Sequence, residues 1–307
     1  MKAAYFMKNG GPEVMEYGDV ADPVAGPGQM LVDVHAASVN GADWKVRSGH
    51  YAPITQFPYI PGRDFSGVVS ALGSGVTDFR VGDAVFAVSE VTGEACYAEK
   101  VAINAAIVAK KPESLSHVEA ASLALIGLTA LVSIEDTLKL KRGETILIQG
   151  GAGGVASFAI QAAKHIGARV ITTTSAANRD YVKKLGADEV IDYNAQDFTK
   201  VVSGVDAVFD TVGGEVAKRS FSVLKPGGRA AFIASGGTAP TPPRDDVTSL
   251  RPKVGRDRAH LERIVELVTS GAVRLPEIKV YELSQAAEAH RVSEGRHFRG
   301  KLVFKVR

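Results

Sequence analysis

The chain has 307 residues, 45% hydrophobic and 23% charged, with 36 Lys and Arg against 34 Asp and Glu, for a formal net charge of +2. That near-balance leaves no electrostatic footprint for nucleic acid or an anionic membrane, and the length allows one large domain or two ordinary ones. The lone cysteine, Cys96, excludes an intramolecular disulfide and a cysteine-built zinc site, and reads as a small buried core residue.

The first 110 residues are β-rich and irregular. Short strands are expected at 30–35, 64–71, 83–87 and 97–101, broken by Gly and Pro, closer to a small barrel than to a βαβ repeat. Asp43 reads as a helix cap. From Gly143 the pattern alternates strand and helix. Strands are expected at 146–148, 169–173, 189–193, 206–210 and 229–234. Helices are expected at 155–165, at 178–185 and through 221–224, stopped at Gly167, Gly186 and Lys225-Pro226-Gly227-Gly228. Such alternation implies a doubly wound parallel sheet with its ligand beyond the carboxyl ends of the strands. Residues 236–243 form a loop, either a connector or a lid. A helix over 257–269 follows, apolar at Leu261, Ile264, Val265 and Val268. The alternating tail 301–306 has no βα partner and returns to the β-rich part. The expected organisation is an α/β Rossmann domain over 120–256, inserted into a discontinuous β-rich catalytic domain of 1–119 and 257–307, with a cleft between them. No apolar run reads as long enough to span a bilayer and no leader opens the sequence, so a cytoplasmic protein is expected.

Residues 144–156 carry the most information. A buried strand breaks at Gly150, Gly151, Gly153 and Gly154 into an apolar helix beginning near Val155. Glycines let a turn pass close to a pyrophosphate, and the helix start offers unpaired N–H groups and its positive dipole end. Gly151, Gly153 and Ala156 fit G-x-G-x-x-A. About 20 residues on, an acid would hold a ribose 2′-hydroxyl. Here Thr172, Thr173, Thr174 and Ser175 stand in its place, followed by Asn178 and Arg179. Hydroxyls and a guanidinium suit a 2′-phosphate, so the expected cofactor is NADPH rather than NADH.

The chain resembles the zinc-free quinone oxidoreductases of the medium-chain dehydrogenase/reductase superfamily. The resemblance rests on residues 38–45, 61–69, 82–86, 127–130, the glycine turn, 185–188, 209–214 and 300–303, in that order and spacing. It implies a GroES-like catalytic domain, an NADPH site and a homodimer. Zinc-dependent relatives have a cysteine where Asn40 stands and a His-Glu pair where Arg63-Asp64 stands. An amide, a guanidinium and one carboxylate make no zinc site, so no metal is expected.

Without a Lewis acid, a conjugated carbonyl is the fitting acceptor, because the charge left by hydride addition delocalises onto oxygen. Lys45 is the candidate donor to that oxygen, by proton transfer or by oxyanion contact alone, and the resemblance places it beside the acceptor. Asn40 is expected to orient the nicotinamide ribose or the substrate. Trp44, Tyr51 and Phe57 are expected to wall the pocket. The resemblance places Thr129 and Lys301 near the nicotinamide and Tyr193 near the adenosine phosphate; Val212, Ile233 and Ser235 close the fourth and fifth strands and are expected to border the nicotinamide. His35 and His165 read as partly buried residues without a ligand role. Two further readings stay open: a narrow alkenal or enone double-bond reductase, and a catalytically idle NADPH-binding sensor or structural protein.

Overall fold

The structure is a computed structural model that describes all of residues 1–307 except 52, 53, 55, 91 and 92. It divides into two compact units. One comprises Met1–Leu125, Arg256–Glu266 and Glu277–Arg307; the other comprises Ile126–Gly255 and Leu267–Pro276.

In the first unit, β1 (Lys2–Phe6) and β2 (Met15–Asp19) form an antiparallel ribbon. Next come β3 (Gln29–Val39), α1 (Gly41–Arg47), β4 (Asp64–Leu72), β5 (Ala84–Val88), β6 (Lys100–Asn104) and β7 (Val108–Lys110). Strand β3 is the spine of this sheet, pairing antiparallel with β4 and β6. It alternates buried and half-buried from Met30 to His35, then is wholly buried from Ala36 to Val39. Alternation means one wet face; the run of buried small residues means cover on both.

Helix α2 (His117–Leu131) begins in this unit and ends in the second. Together with the wider turn that continues it, it makes a span over His117–Thr137 long and apolar enough to cross a membrane by length and composition. This corrects the expectation that no such run exists. Most of the span is buried inside the protein, so its apolarity is that of a core helix.

The second unit holds β8 (Thr145–Gln149), α3 (Gly154–Ile166), β9 (Arg169–Thr174), α4 (Arg179–Lys184), β10 (Glu189–Asp192), α5 (Phe198–Val201), β11 (Val205–Asp210), α6 (Gly214–Arg219), β12 (Leu224–Phe232) and β13 (Thr248–Leu250). All six strands are parallel, in the order β10-β9-β8-β11-β12-β13. The order reverses between β8 and β11, the switch point where such sheets bind ligands. Leu147, Ile171, Ile191, Val208, Ala230 and Phe232 form one core, with the Phe221 and Phe232 rings 5.2 Å apart.

The expected helix through 221–224 is displaced. The helix there is α6, and only a single tight turn, Ser220–Val223, follows it. Strand β12 then runs through Lys225-Pro226-Gly227-Gly228, because the register shifts between the Val205–Leu224 and Ala207–Arg229 pairs and lets those residues bulge. Strand β13, short and largely polar, escaped the sequence pattern.

The chain then makes α7 (Arg258–Thr269), β14 (Ile278–Glu282), α8 (Ala286–Gly295) and β15 (Lys301–Lys305). Strand β15 pairs parallel with β14 and antiparallel with β3, so the tail joins the first unit's sheet. His165 is exposed rather than partly buried. His35 is half-buried and lies against the His117 ring at 4.4 Å.

Candidate dinucleotide and acceptor sites

In the second unit the turn after β8 is built by sterics. A Cβ on Gly151 would fall well inside contact distance of Thr172 Oγ1, 3.1 Å from Thr172 Cγ2 and 3.2 Å from Ile160 Cδ1. Thr172 is held there by donating to the Ile148 carbonyl at 2.7 Å, and Thr173 Oγ1 donates to Gln149 Oε1 at 2.6 Å while accepting from the Gly150 N–H at 3.1 Å. The Gly151 N–H donates to the Thr173 carbonyl at 2.9 Å. Two β9 threonines thus pin the turn. Helix α3 starts at Gly154 with Gly153 as its cap, so the first-turn amides, those of Gly154 and Val155 among them, have no intrahelical acceptor. With no side chain at 150, 151, 153 or 154, this cradle fits an anion.

Across the switch point, Asp210 ends β11. Its Oδ1 accepts from the N–H groups of Val212 at 2.9 Å and Gly213 at 2.6 Å, which closes the turn below exposed Val212. Burial pushes the Asp210 carboxyl up from its ordinary range. Gly213 has φ +82, and a Cβ there would stand 2.5 Å from the Ala234 carbonyl oxygen. Half-buried Ile233 is tied to β11 by its N–H to the Asp210 carbonyl, and Ser235 Oγ donates to the Thr238 carbonyl at 2.8 Å. These residues lie at the carboxyl ends of neighbouring strands.

Thr174 is buried at the end of β9. Ser175, just beyond it, accepts from Asn178 Nδ2 at 3.2 Å. Arg179 is exposed at the start of α4, and Tyr193 is exposed just past β10, its N–H on the Thr174 carbonyl. Thr129 is buried within α2, and its carbonyl accepts from Ser133 Oγ at 2.7 Å.

In the first unit, Asn40 joins β3 to α1 and its amide is already engaged at both ends. Oδ1 accepts from Lys301 Nζ at 2.8 Å; Nδ2 donates to Asp64 Oδ1 at 2.8 Å and to the Ser38 carbonyl at 3.2 Å. Lys301 also donates to the Val39 carbonyl at 2.8 Å, and Asp64 takes Ser38 Oγ at 2.7 Å and the Leu125 N–H at 3.0 Å. All four side chains are buried. Burial lowers the Lys301 ammonium and raises the Asp64 carboxyl, and the mutual attraction of the two charges opposes both shifts.

Asn40 rather than the expected Asp43 is the cap of α1; Asp43, three residues on, completes the capping box by accepting from the Asn40 N–H at 2.9 Å, and also accepts from Tyr97 OH at 2.6 Å. Burial pushes its carboxyl up to about 7, against the pull of Arg63, whose Nε is 3.7 Å away. Arg63 pairs with buried Glu94 at 2.6 Å, and Glu94 accepts from Tyr59 OH at 2.8 Å. The Tyr51 ring lies 5.2 Å from the Arg63 guanidinium. Trp44 and Lys45 are half-buried on α1, with Nζ 5.7 Å from the Trp44 ring centroid. Phe57 is exposed and edge-on to Phe6 at 6.2 Å. The structure therefore gathers Asn40 with Lys301, and Tyr51 with α1 through Arg63 and Asp43, while Phe57 packs on β1. Sequence reasoning missed Asp64, Arg63 and Glu94 as a polar scaffold; Arg63-Asp64 stood out only as a departure from a zinc pair.

A parallel sheet in this order, opened by a glycine turn and accompanied by an antiparallel β unit, defines a dinucleotide-fold oxidoreductase. The family model for the alcohol dehydrogenase GroES-like domain matches residues 26–113, and that for zinc-binding dehydrogenase matches 185–304. The quinone oxidoreductase of Coxiella burnetii is 37% identical, covers 100% of this chain and 99% of its own, and superposes with a TM-score of 0.94. The Escherichia coli quinone oxidoreductase, solved in complex with NADPH, is 27% identical with a TM-score of 0.91 and full coverage of both chains. A Burkholderia 2-haloacrylate reductase is 32% identical over 98% of each chain. The chain belongs to the quinone oxidoreductase family of the medium-chain dehydrogenase/reductase superfamily, and is an oxidoreductase of that type.

One matching family is described by zinc, and the donor set here does not fit that ion. Among the described residues no three of His, Cys, Asp and Glu converge. Burial pushes the Cys96 thiol well up, away from the thiolate a metal requires. Arg63 is a cation, paired with Glu94.

Proposed function

We propose that this protein reduces quinones or α,β-unsaturated carbonyls with NADPH and without a metal. The observation that carries the reading is the turn after β8, where Gly151 is wedged against Thr172 and the start of α3 is left open to an anion. No acid lies between Thr172 and Arg179 to repel a 2′-phosphate. When bound, the cofactor supplies the hydride. The amides of the glycine turn hold the pyrophosphate. Thr174, Ser175, Arg179 and Tyr193 receive the phosphorylated ribose, and Thr129, Val212, Ile233 and Ser235 border the nicotinamide. Lys45 steadies the negative oxygen of the acceptor as charge develops there, and Trp44 and Tyr51 give a flat ring its walls, with Phe57 at the edge. Asn40 and Lys301 act as positioning residues: with Asp64 they fix the start of α1 and so the place of Lys45.

The similarity to a 2-haloacrylate reductase favours a second reading, reduction of an activated double bond in a narrower set of enones. NADPH oxidation with benzoquinone, phenanthrenequinone and methyl vinyl ketone separates the two, alongside dissociation constants for NADPH and NADH. Tight NADPH binding without turnover of any acceptor would sink both in favour of an idle binding protein. Equal affinity for the two cofactors would remove the 2′-phosphate assignment. We further propose a homodimer, tested by sedimentation.

A further inference from the structure

Strands β8, β11 and β12 are neighbours in the second unit's sheet, and residues 210–213 tie their carboxyl ends together. Thr211 Oγ1 donates to the carbonyl of Gln149, the last residue of β8, at 2.8 Å. Gly150 comes next with φ +78, and a Cβ on it would stand 2.9 Å from Thr211 Oγ1 and 3.0 Å from Val212 Cγ2. From β9, on the other side of β8, Thr173 Oγ1 accepts from the Gly150 N–H. The glycine turn is thus gripped from both neighbours of β8. Asp210 in turn fixes Thr211 and Val212. Its Oδ1 accepts from the Val212 and Gly213 N–H groups, while its Oδ2 is buried with no hydrogen-bond partner among the described residues. A fully buried carboxyl with one idle oxygen is costly, and the backbone of 211–213 is what it holds in return. On the far side, Gly213 abuts the Ala234 carbonyl oxygen, and the Ile233 N–H donates to the Asp210 carbonyl at 3.1 Å. The turn after β11 is a wedge between the glycine turn and the end of β12.

We propose that Thr211 and Asp210 are positioning residues: they lock the turn after β11 to the glycine turn and so set where the nicotinamide end of NADPH stands relative to its pyrophosphate. This deepens the reductase reading and rests on its placing of the pyrophosphate at the glycine turn and of the nicotinamide beside Val212. Both residues act through the backbone they hold, not by touching the cofactor. The β9 threonines pin the glycine turn independently, so losing the Thr211 hydroxyl spares the adenosine half of the cofactor and releases the nicotinamide half. A misplacement of about 1 Å at a reacting centre costs up to about 10²-fold in rate.

The test measures, on the full-length protein by calorimetry, the dissociation constants of NADPH and of adenosine 2′,5′-bisphosphate, which carries the phosphorylated adenosine end alone. The kcat for benzoquinone is taken alongside. Thr211→Val keeps the shape of the side chain and removes its hydroxyl; Thr211→Ser keeps the hydroxyl. Thr211→Val is expected to weaken NADPH binding about tenfold and to lower kcat about tenfold, with the bisphosphate changed by less than about twofold. Thr211→Ser is expected to restore both values. Asp210→Ala is expected to follow Thr211→Val, and Asp210→Asn, which keeps an acceptor oxygen, to recover; if Asp210→Ala does not fold, the Thr211 pair decides. The proposal is overturned if Thr211→Val leaves NADPH affinity and kcat at their wild-type values, whatever its effect on stability. It is overturned equally if Thr211→Val weakens both ligands alike, or if Thr211→Ser behaves as Thr211→Val does. The expected split between the two ligands without turnover of any acceptor supports the wedge and overturns the reductase reading instead. Failure of the wild type to bind NADPH overturns both.

Discussion

Replacing Gly151 with Ala tests the glycine turn at its tightest point. The new methyl collides with Thr172 Oγ1 and presses on Ile160 Cδ1 at 3.2 Å. Thr172 is fully buried and its hydroxyl donates to the Ile148 carbonyl. To admit the methyl, Thr172 must rotate and give up that bond. Overpacking of a tight site and a lost buried hydrogen bond together cost about 2–4 kcal/mol. In urea this lowers the unfolding midpoint by roughly 1 M, read by far-ultraviolet circular dichroism. Gly153→Ala is the control. Its Cβ would meet only the Gly150 carbonyl oxygen at 3.4 Å and its φ is −74, so a change within about 0.5 kcal/mol is expected. Thr172→Ala removes the obstructing hydroxyl, so the double variant should be more stable than the sum of the single losses by about 1–2 kcal/mol. Gly151→Ala unfolding together with Gly153→Ala, or strict additivity with Thr172→Ala, would refute the steric argument.

Asp64→Asn leaves the Lys301 ammonium buried without its counter-charge and should cost about 3–5 kcal/mol in denaturant titration, much of it recovered by adding Lys301→Met. His290 is fully buried against Arg47, and burial followed by that charge lowers its imidazole to about 3. Its folded value lies below its unfolded value, so its contribution is fully present above about pH 6.5 and is lost as pH falls toward 3. Between pH 6.5 and 4.5 that amounts to roughly 2 kcal/mol, and His290→Asn should flatten the stability–pH slope by one proton. Ser175→Asp should weaken NADPH binding more than NADH binding in paired fluorescence titrations, since a carboxylate there repels a 2′-phosphate; an unchanged ratio counts against the assignment. Lys45→Met should reduce kcat by about 10²-fold with the NADPH dissociation constant unchanged, and full turnover would remove Lys45 from the chemistry.

Much of the fold was legible before any coordinates. The β8–turn–α3 unit depends on local demands: apolar residues that bury a strand, glycines where Cβ has no room, and a 3.6-residue apolar stripe. The alternation from Gly143 to Ala234 announced a parallel sheet for the same reason, and the alternating tail announced β15. Boundaries failed where pairing overrode local preference. β12 absorbs Lys225-Pro226-Gly227-Gly228 as a bulge because its neighbour β11 tolerates the shifted register. The three residues of β13, two of them polar, become a strand only because β12 offers an edge.

The candidate sites divide in the same way. Backbone requirements and charge are written residue by residue, so the anion cradle and the absence of an acid after β9 can be read along the chain. Partnership between distant side chains cannot. Lys301 reaches Asn40 across 261 positions, Arg47 reaches Glu294 across 247, and Arg63, just before β4, meets Asp43 of α1 and Glu94 of the connection between β5 and β6. Only folding brings those groups within hydrogen-bond distance, and only burial turns Asn40 from a free amide into a fully engaged junction. The apolar run of α2 carries the same lesson, since composition alone does not distinguish a lipid-facing helix from one enclosed by its own protein.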